Sequence, residues 1–272
     1  RVTLAVRSDR LLRGADQDLA APLIRRIETL FESVRYNSLP TGLAESQDGV
    51  EVTWQGGSGA KQERFHRVLV AIGRQPGTRG LGLEKTGVKV NERGFIAVNE
   101  QQLTADERIF AVGDAAGGPM LAHKAFRQGK VAAEVIAGKP AAFDARAIPS
   151  VVYTDPQVAW AGITEEEARK QKRRIRVERF PWKFSSRAAT MDAAEGLTKM
   201  IIDSETKRIL GLGITGRHTE GMISEGVLAI EMGALAEDLG LTVHPHPTLS
   251  ETLGEAAEVF LGSVTHLLPK KR

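Results

Sequence analysis

Gly211-Leu212-Gly213-Ile214-Thr215-Gly216 matches G-x-G-x-x-G and stands just before a helical stretch in the C-terminal half. As a dinucleotide fingerprint it would need a strand, a tight turn and a helix, followed by a second parallel strand. The flanking residues do not supply these. The apolar run Thr198 to Asp203 comes first, then the short polar turn Ser204-Glu205-Thr206-Lys207, then Ile209 to Ile214, which is the order of a β-hairpin. Beyond the glycines, Met222, Ile223, Val227 and Ile230 stripe one helix that runs on into another helix-like segment, and no parallel strand follows at the required distance. The chain holds 28 glycines, so a chance match is easy. These glycines are read as serving packing and turns in an antiparallel sheet.

Outward from that hairpin, Val151 to Tyr153 and Ile175 to Phe180 also read as strands, and Leu253, Ala256, Ala257 and Phe260 stripe a further helix. This order predicts an antiparallel sheet with helices on one face, an α+β module that begins near Ala147-Ile148-Pro149. The N-terminal part follows an α/β order. Val2 to Val6 reads as a buried strand that opens abruptly at the first residue, which suggests a truncated chain. Asp16 to Phe31 has helical spacing, with Leu19, Leu23, Ile27 and Leu30 on one face. Val50 to Trp54, the turn Gly56-Gly57-Ser58-Gly59 and the apolar run Phe65 to Ile72 predict two further strands. Gly73 to Gly94 is rich in turn residues and reads as a crossing between domains. A strand Ile109 to Val112 then ends in Gly113-Asp114, and a helix from about Leu121 to Ala137 stops at Gly138 and Pro140.

Composition narrows the function. Hydrophobic residues make up 42% and charged residues 26% of 272, which is ordinary for a globular protein. No apolar run approaches the roughly 20 residues needed to span a bilayer, and the first residues lack a signal peptide's apolar core. The expectation is a cytoplasmic protein with no membrane partner. There is no cysteine, so disulfides, thiolate metal sites and cysteine nucleophiles are excluded within the chain, and no metal site is expected. The net charge is +3. The basic cluster Arg169, Lys170, Lys172, Arg173, Arg174, Arg176 and Arg179 lacks interleaved aromatics and follows Glu165-Glu166-Glu167. It is read as a solvated helix end, and no nucleic-acid partner is expected.

The chemistry concentrates in His244-Pro245-His246-Pro247-Thr248-Leu249-Ser250-Glu251-Thr252-Leu253. A histidine accepts and releases protons near neutrality, and a carboxylate on its other ring nitrogen would orient it. On spacing alone, however, Thr248-x-x-Glu251 before an apolar run is also a capping box. On that spacing the capping role is the favoured one for Glu251, His246 alone reads more readily as a structural histidine than as a base, and His244 is taken as structural. Asp114, where a strand passes into a helix, fits either a helix cap or a carboxylate that accepts hydrogen bonds from a polyol.

That signature resembles the C-terminal signature of the flavin-dependent pyridine nucleotide–disulfide oxidoreductases, nearest the branch that oxidises dihydrolipoamide. Val68-Leu69-Val70-Ala71-Ile72-Gly73-Arg74, Phe110-Ala111-Val112-Gly113-Asp114, Met120-Leu121-Ala122-His123-Lys124-Ala125, Leu228-Ala229-Ile230-Glu231-Met232-Gly233 and Glu255-Ala256-Ala257-Glu258 resemble the same family in the same order. The resemblance implies that His246 takes the proton from a dithiol substrate while Glu251 orients it, across a homodimer interface from a cysteine pair. It implies that Asp114 contacts the ribityl chain of FAD, with Gly73, Gly113 and the Met120, Leu121, Ala122, His123 segment beside the cofactor. The implied partner is the lipoyl domain of a 2-oxo acid dehydrogenase complex.

The chain departs from the family in three absences: no FAD glycine fingerprint, no redox cysteine pair and no usable nicotinamide fingerprint. Residues 1–72 are then expected to be the second half of a nicotinamide-binding domain, 73–146 the C-terminal part of an FAD-binding domain, and 147–272 a complete dimerisation domain. The isolated chain is expected to be inactive. Val6 occupies the place where the family's NAD enzymes usually carry glutamate, and Arg7, Arg10 and Arg13 follow, as in NADP-dependent branches. The cofactors expected are therefore FAD and NAD, with NADP, and an NADPH-dependent disulfide reductase, as the alternative. A non-catalytic dimerisation module is the reading of a different class.

Overall fold

The computed structural model describes residues 1–55 and 61–267; the expected Gly56-Gly57-Ser58-Gly59 turn lies outside them. The chain divides into two compact units, residues 1–69 together with 146–272, and residues 70–145. In the first unit β1 (Thr3–Ala5) pairs in parallel with β2 (Ser33–Arg35), and α1 (Gln17–Leu30) connects them. The apolar stripe of α1 buries Leu19 and Leu23 almost completely. β3 (Pro40–Ser46), β4 (Gly49–Trp54) and β5 (Lys61–Phe65) then form an antiparallel meander. Its outer strand ends at Phe65, so the strand expected over Phe65 to Ile72 is not formed. Leu69 and Ile72 are about nine-tenths exposed, and among the described residues no neighbouring strand takes up the backbone of this segment.

The second unit is poor in regular structure. α2 (Ala122–Ile136) is its one α-helix among the described residues, ending before Gly138 as the sequence predicts. The expected strand Ile109 to Val112 is reduced to a single bridge between Leu103 and Phe110, because a β-ladder needs a partner along its length and only Leu103 supplies one.

The rest of the first unit is the antiparallel sheet. β6 (Ser150–Val152), β7 (Gln157–Gly162), β8 (Ile175–Pro181), β9 (Leu197–Asp203) and β10 (Ile209–Gly216) stand in the order β6-β7-β10-β9-β8. α3 (Glu165–Lys170), α4 (Ser186–Thr190), α5 (Thr219–Met232), α6 (Ala236–Gly240) and α7 (Glu251–Leu261) complete it. α5 and α7 cover one face over Leu212, Ile214, Met200 and Ile202. The other face is covered too, by α1, whose Leu19 and Leu23 pack with Val158, Trp160 and Leu197. This corrects the expectation of helices on one face.

The glycines of the G-x-G-x-x-G stretch are what the sheet needs there. A Cβ at Gly213 would lie 2.1 Å from Leu19 Cδ1, and one at Gly211 would lie 2.1 Å from the carbonyl oxygen of Ile163. Thr215 sits on the same side, and its hydroxyl donates to the Leu19 carbonyl at 2.5 Å. Small residues alternate along β10, so that α1 seats directly on the backbone.

α1 is further held by a buried charge. Lys199, in β9, is 1% exposed, and its Nζ contacts Asp16 at 2.8 Å, Asp18 at 2.9 Å and Glu165 at 2.8 Å. Arg179 adds ion pairs to Asp18 at 2.5 Å and Glu165 at 2.7 Å. Asp16 also accepts the backbone N–H of Glu165 and of Glu166, which ties the start of α1 to the start of α3. Burial works to raise the carboxyl pKa of Asp18 and of Glu165, but hydrogen bonds and charge from Lys199, with Arg179 beside them, outweigh it and hold both below the usual carboxylate range. The expected basic helix end is likewise paired, Arg169 with Glu165 and Lys170 with Glu166 one turn apart.

Removing one partner of a buried ion cluster leaves the others uncompensated. Lys199→Met is therefore expected to cost about 3–5 kcal/mol of unfolding free energy, read by urea denaturation at pH 7. The stability that Asp18 and Glu165 contribute is complete above the unfolded carboxylate pKa of about 4 and is lost as pH falls through their lower folded values. The native chain should thus lose stability more steeply below about pH 4 than the Lys199→Met variant does.

Candidate functional site

His246 and Glu251 meet at the start of α7. Glu251 Oε1 accepts from His246 Nδ1 at 2.8 Å, and Oε2 accepts the backbone N–H of Thr248 at 2.6 Å. The expected capping box is formed only in half: Glu251 accepts the Thr248 N–H, but the N-cap of α7 is Ser250 and the Thr248 hydroxyl turns to Pro245 instead of the helix. A carboxylate only accepts, so the ring proton sits on Nδ1 and the lone pair is left on Nε2. The imidazole is 63% exposed. Thr248 Oγ1 donates to the Pro245 carbonyl at 2.8 Å and closes the loop, in which the His246–Pro247 bond is cis.

His244 is a second histidine on a carboxylate. Its Nε2 bonds Glu225 of α5 at 2.9 Å, and its Nδ1 bonds the Thr242 carbonyl at 3.0 Å. The hydrogen bond to Glu225 raises its pKa, with burial opposing. A Cβ at Gly254 would come within 3.1 Å of this ring, so glycine there lets α7 lie against the loop.

Beneath the pair runs a buried hydroxyl chain that the sequence reading missed. Trp182 Nε1 donates to Thr198 Oγ1 at 2.9 Å, Thr198 and Thr252 share a bond of 2.7 Å, and Thr252 Oγ1 lies 2.7 Å from the Leu249 carbonyl. Thr198 and Thr252 are fully buried. The chain fixes the residue next to Glu251 to β9 of the sheet. Its sequence signal is two threonines at positions where the periodicity asks for apolar side chains.

In the second unit Gly113 to Ala116 form a 3₁₀ turn that opens with Gly113 at φ 70°. Gln128 accepts the Gly113 N–H at 2.8 Å, and Lys124 donates to the carbonyls of Gly113 at 3.1 Å and Gly117 at 2.5 Å. Burial pushes the Lys124 ammonium below its ordinary range, and the charge of Asp114 opposes that. Asp114 is half exposed and 3.4 Å from Arg74, which follows Gly73, so two of the quoted motifs meet here. Asp114 does not cap α2; the N-cap is Leu121, with no side-chain bond. Met120 and Leu121 are partly buried, and Ala122 and His123 are exposed at the start of that helix.

At the end of β1, the Val6 N–H is bonded to the Arg35 carbonyl at 2.8 Å and Arg7 is exposed. Arg10 is engaged by Glu166 at 2.6 Å, and Arg13 lies 3.8 Å from Asp9. Among the described residues no cluster of three or more His, Cys, Asp or Glu side chains is placed to hold a metal ion, and no helix is long and apolar enough to cross a membrane.

The family model described as pyridine nucleotide-disulphide oxidoreductase matches residues 1–129, and that of the same family's dimerisation domain matches residues 148–257. The chain belongs to the pyridine nucleotide-disulphide oxidoreductase family. It is 47% identical over 269 residues to a dihydrolipoyl dehydrogenase of Thermus scotoductus, covering 98% of this chain and 58% of that protein. It is also 47% identical over 260 residues to a dihydrolipoyl dehydrogenase of Vibrio cholerae, covering 95% of this chain and 54% of that protein. Among solved structures, the HOCl-induced flavoprotein disulfide reductase RclA of Escherichia coli superposes with a TM-score of 0.86 at 26% identity, covering 95% of this chain and 59% of that one. LpdA of Mycobacterium tuberculosis superposes with a TM-score of 0.89 at 24% identity, a likeness of fold, covering 95% of this chain and 56% of that one. The chain thus spans a little over half the length of the curated relatives it matches.

The buried hydroxyl chain makes a testable demand. Thr252→Val keeps the shape but leaves the Thr198 hydroxyl and the Leu249 carbonyl short of a partner, which should cost about 1–3 kcal/mol in chemical denaturation. An unchanged midpoint would remove the chain from the support of α7.

Proposed function

We propose that this chain is the C-terminal portion of a flavin-dependent dihydrolipoyl dehydrogenase and contributes the acid–base half of an active site shared across a homodimer. The observation that carries this reading is the 2.8 Å bond between His246 Nδ1 and Glu251 in an exposed loop. His246 Nε2 takes the proton from a thiol of dihydrolipoamide, and the resulting thiolate attacks a disulfide of the partner subunit. Glu251 stabilises the imidazolium and fixes the tautomer that leaves Nε2 basic.

On this reading, residues 1–72 are the second half of the nicotinamide-binding domain, 73–146 the last part of the FAD-binding domain and 147–272 the dimerisation domain. The residues at 113–123 fit part of a flavin site: Gly113 in a left-handed turn, an outward carboxylate at Asp114, and the first turn of α2 behind Met120 and Leu121. FAD, when bound, would carry the electrons from the disulfide to the nicotinamide. Asp114 would accept hydrogen bonds from its ribityl hydroxyls, and the buried Lys124 holds the turn that presents that carboxylate. The substrate would arrive on the lipoyl domain of a 2-oxo acid dehydrogenase complex, in the cytoplasm. Apolar side chains support a partner subunit: Leu228 and Met232 on α5 and Leu241 and Val243 after α6 are all strongly exposed, the kind of surface an interface covers. With no cysteine of its own, the chain cannot complete the disulfide exchange alone.

A second reading, an NADPH-dependent disulfide reductase of the same family, is favoured by the exposed Arg7 directly after the Val6 position. Comparing NADH with NADPH on the full-length enzyme separates the two.

In the full-length enzyme, His246→Gln is expected to lower the turnover of dihydrolipoamide by about 100-fold or more, with the visible flavin band unchanged. Steady-state assays beside an absorption spectrum check both; retained turnover would take His246 out of the mechanism.

A further inference from the structure

α7 carries Glu251 and Glu255 one turn apart, and each carboxylate ends on a histidine. Glu251 holds His246, while Glu255 Oε1 is hydrogen-bonded to Nδ1 of His266, a residue beyond the helix. The chain reaches it by a turn at Gly262, which adopts φ 80° at the C-cap of α7 with the N–H groups of Gly262 and Ser263 on the Glu258 carbonyl. Both pairs border one cavity of about 10 Å³, room for a single water, with Phe180 and Ser185 also in its wall. Glu255 is largely buried, and its Oε2 has no hydrogen-bond partner, whereas His266 is half exposed. A buried carboxylate with one bare oxygen needs a compensating charge nearby, and the His266 imidazolium is placed to supply it.

The surroundings of His266 are acidic. From α7, Glu251, Glu255 and Glu258 face it; the loop before α7 brings His246, and His244 acts on Glu258. From the β8 and α4 side the cavity wall holds Phe180, Phe184, Ser185 and Ser186 and no charge, with Lys183 stacked over Phe184 outside it. The hydrogen bond to Glu255 raises the His266 pKa, and Glu251 and Glu258 add to the effect.

We propose that His266 is a positioning residue for the His246–Glu251 pair: held on Glu255 at the wall of the shared cavity, its positive charge offsets the second carboxylate beside that pair. This rests on the reading of His246 as the dithiol base. Without His266, Glu255 stands as an unbalanced anion one turn from Glu251 and favours the protonated form of His246.

The test is an NMR titration of the ring signals of His246 in the histidine-labelled full-length enzyme, assigned by their loss in His246→Gln, beside the pH profile of kcat/KM. His266→Asn should raise the apparent pKa of His246 by roughly half a unit and move the acidic limb of the rate profile with it. The double variant Glu255→Gln with His266→Asn should return it close to the native value, and His266→Lys, which keeps the charge, should hold it there. An unmoved His246 titration in His266→Asn, or a shift that survives in the double variant, overturns the proposal. A shift in the NMR titration that the rate profile does not follow would uphold the linkage between the pairs and refute His246 as the base.

Discussion

Glu251 carries two obligations at once, and the proposed chemistry depends on their being met by one carboxylate. One oxygen takes the N–H of Thr248 ahead of α7, where a negative charge is also favoured by the helix dipole. The other holds the imidazole of His246. The helix that Glu251 starts is buried on the sheet through Leu253, Ala256 and Ala257, so the aim of the histidine is inherited from the packing of the core. A side chain on a loop acquires the rigidity of a helix, which the proposed role toward an incoming thiol would require.

The sheet below is built to be covered twice. α5 and α7 need large apolar side chains beneath them, which Leu212 and Ile214 provide, while α1 needs the opposite face of the same strand to be nearly flat. Gly213 and Thr215 make it so under Leu19. Lys199 then fixes α1 in place by gathering carboxylates from α3 and from the start of α1 around one buried ammonium. An ion cluster of this kind contributes position more than net stability, since its charges were costly to bury.

Much of this was legible in the residues. The alternation and the short polar turn around Ser204 identified the hairpin, and the failure of the glycine motif followed from its flanks. The two readings of Glu251 were both visible in Thr248-x-x-Glu251. What escaped depends on partners far away in sequence. Lys199 reads as an ordinary solvent-side residue of a strand until α1 is laid over it. Thr198 and Thr252 look like interruptions of an apolar pattern until they meet 54 residues apart. Phe65 to Ile72 and Ile109 to Val112 have strand composition, but composition cannot supply the neighbour that a ladder requires.

The claim that the site is shared between subunits has one direct test. Full-length His246→Gln subunits are mixed with full-length subunits whose redox cysteines are serine, each inactive alone, and lipoamide-dependent turnover of the reassembled dimers is measured. In a shared site, one half of each hybrid dimer recovers both an intact cysteine pair and an intact His246, so activity should return to roughly a quarter of the native value on random equal mixing. If cysteines and histidine served within one subunit, every site in the mixture would still lack one of them; activity that stays at the level of the parent variants would contradict the account.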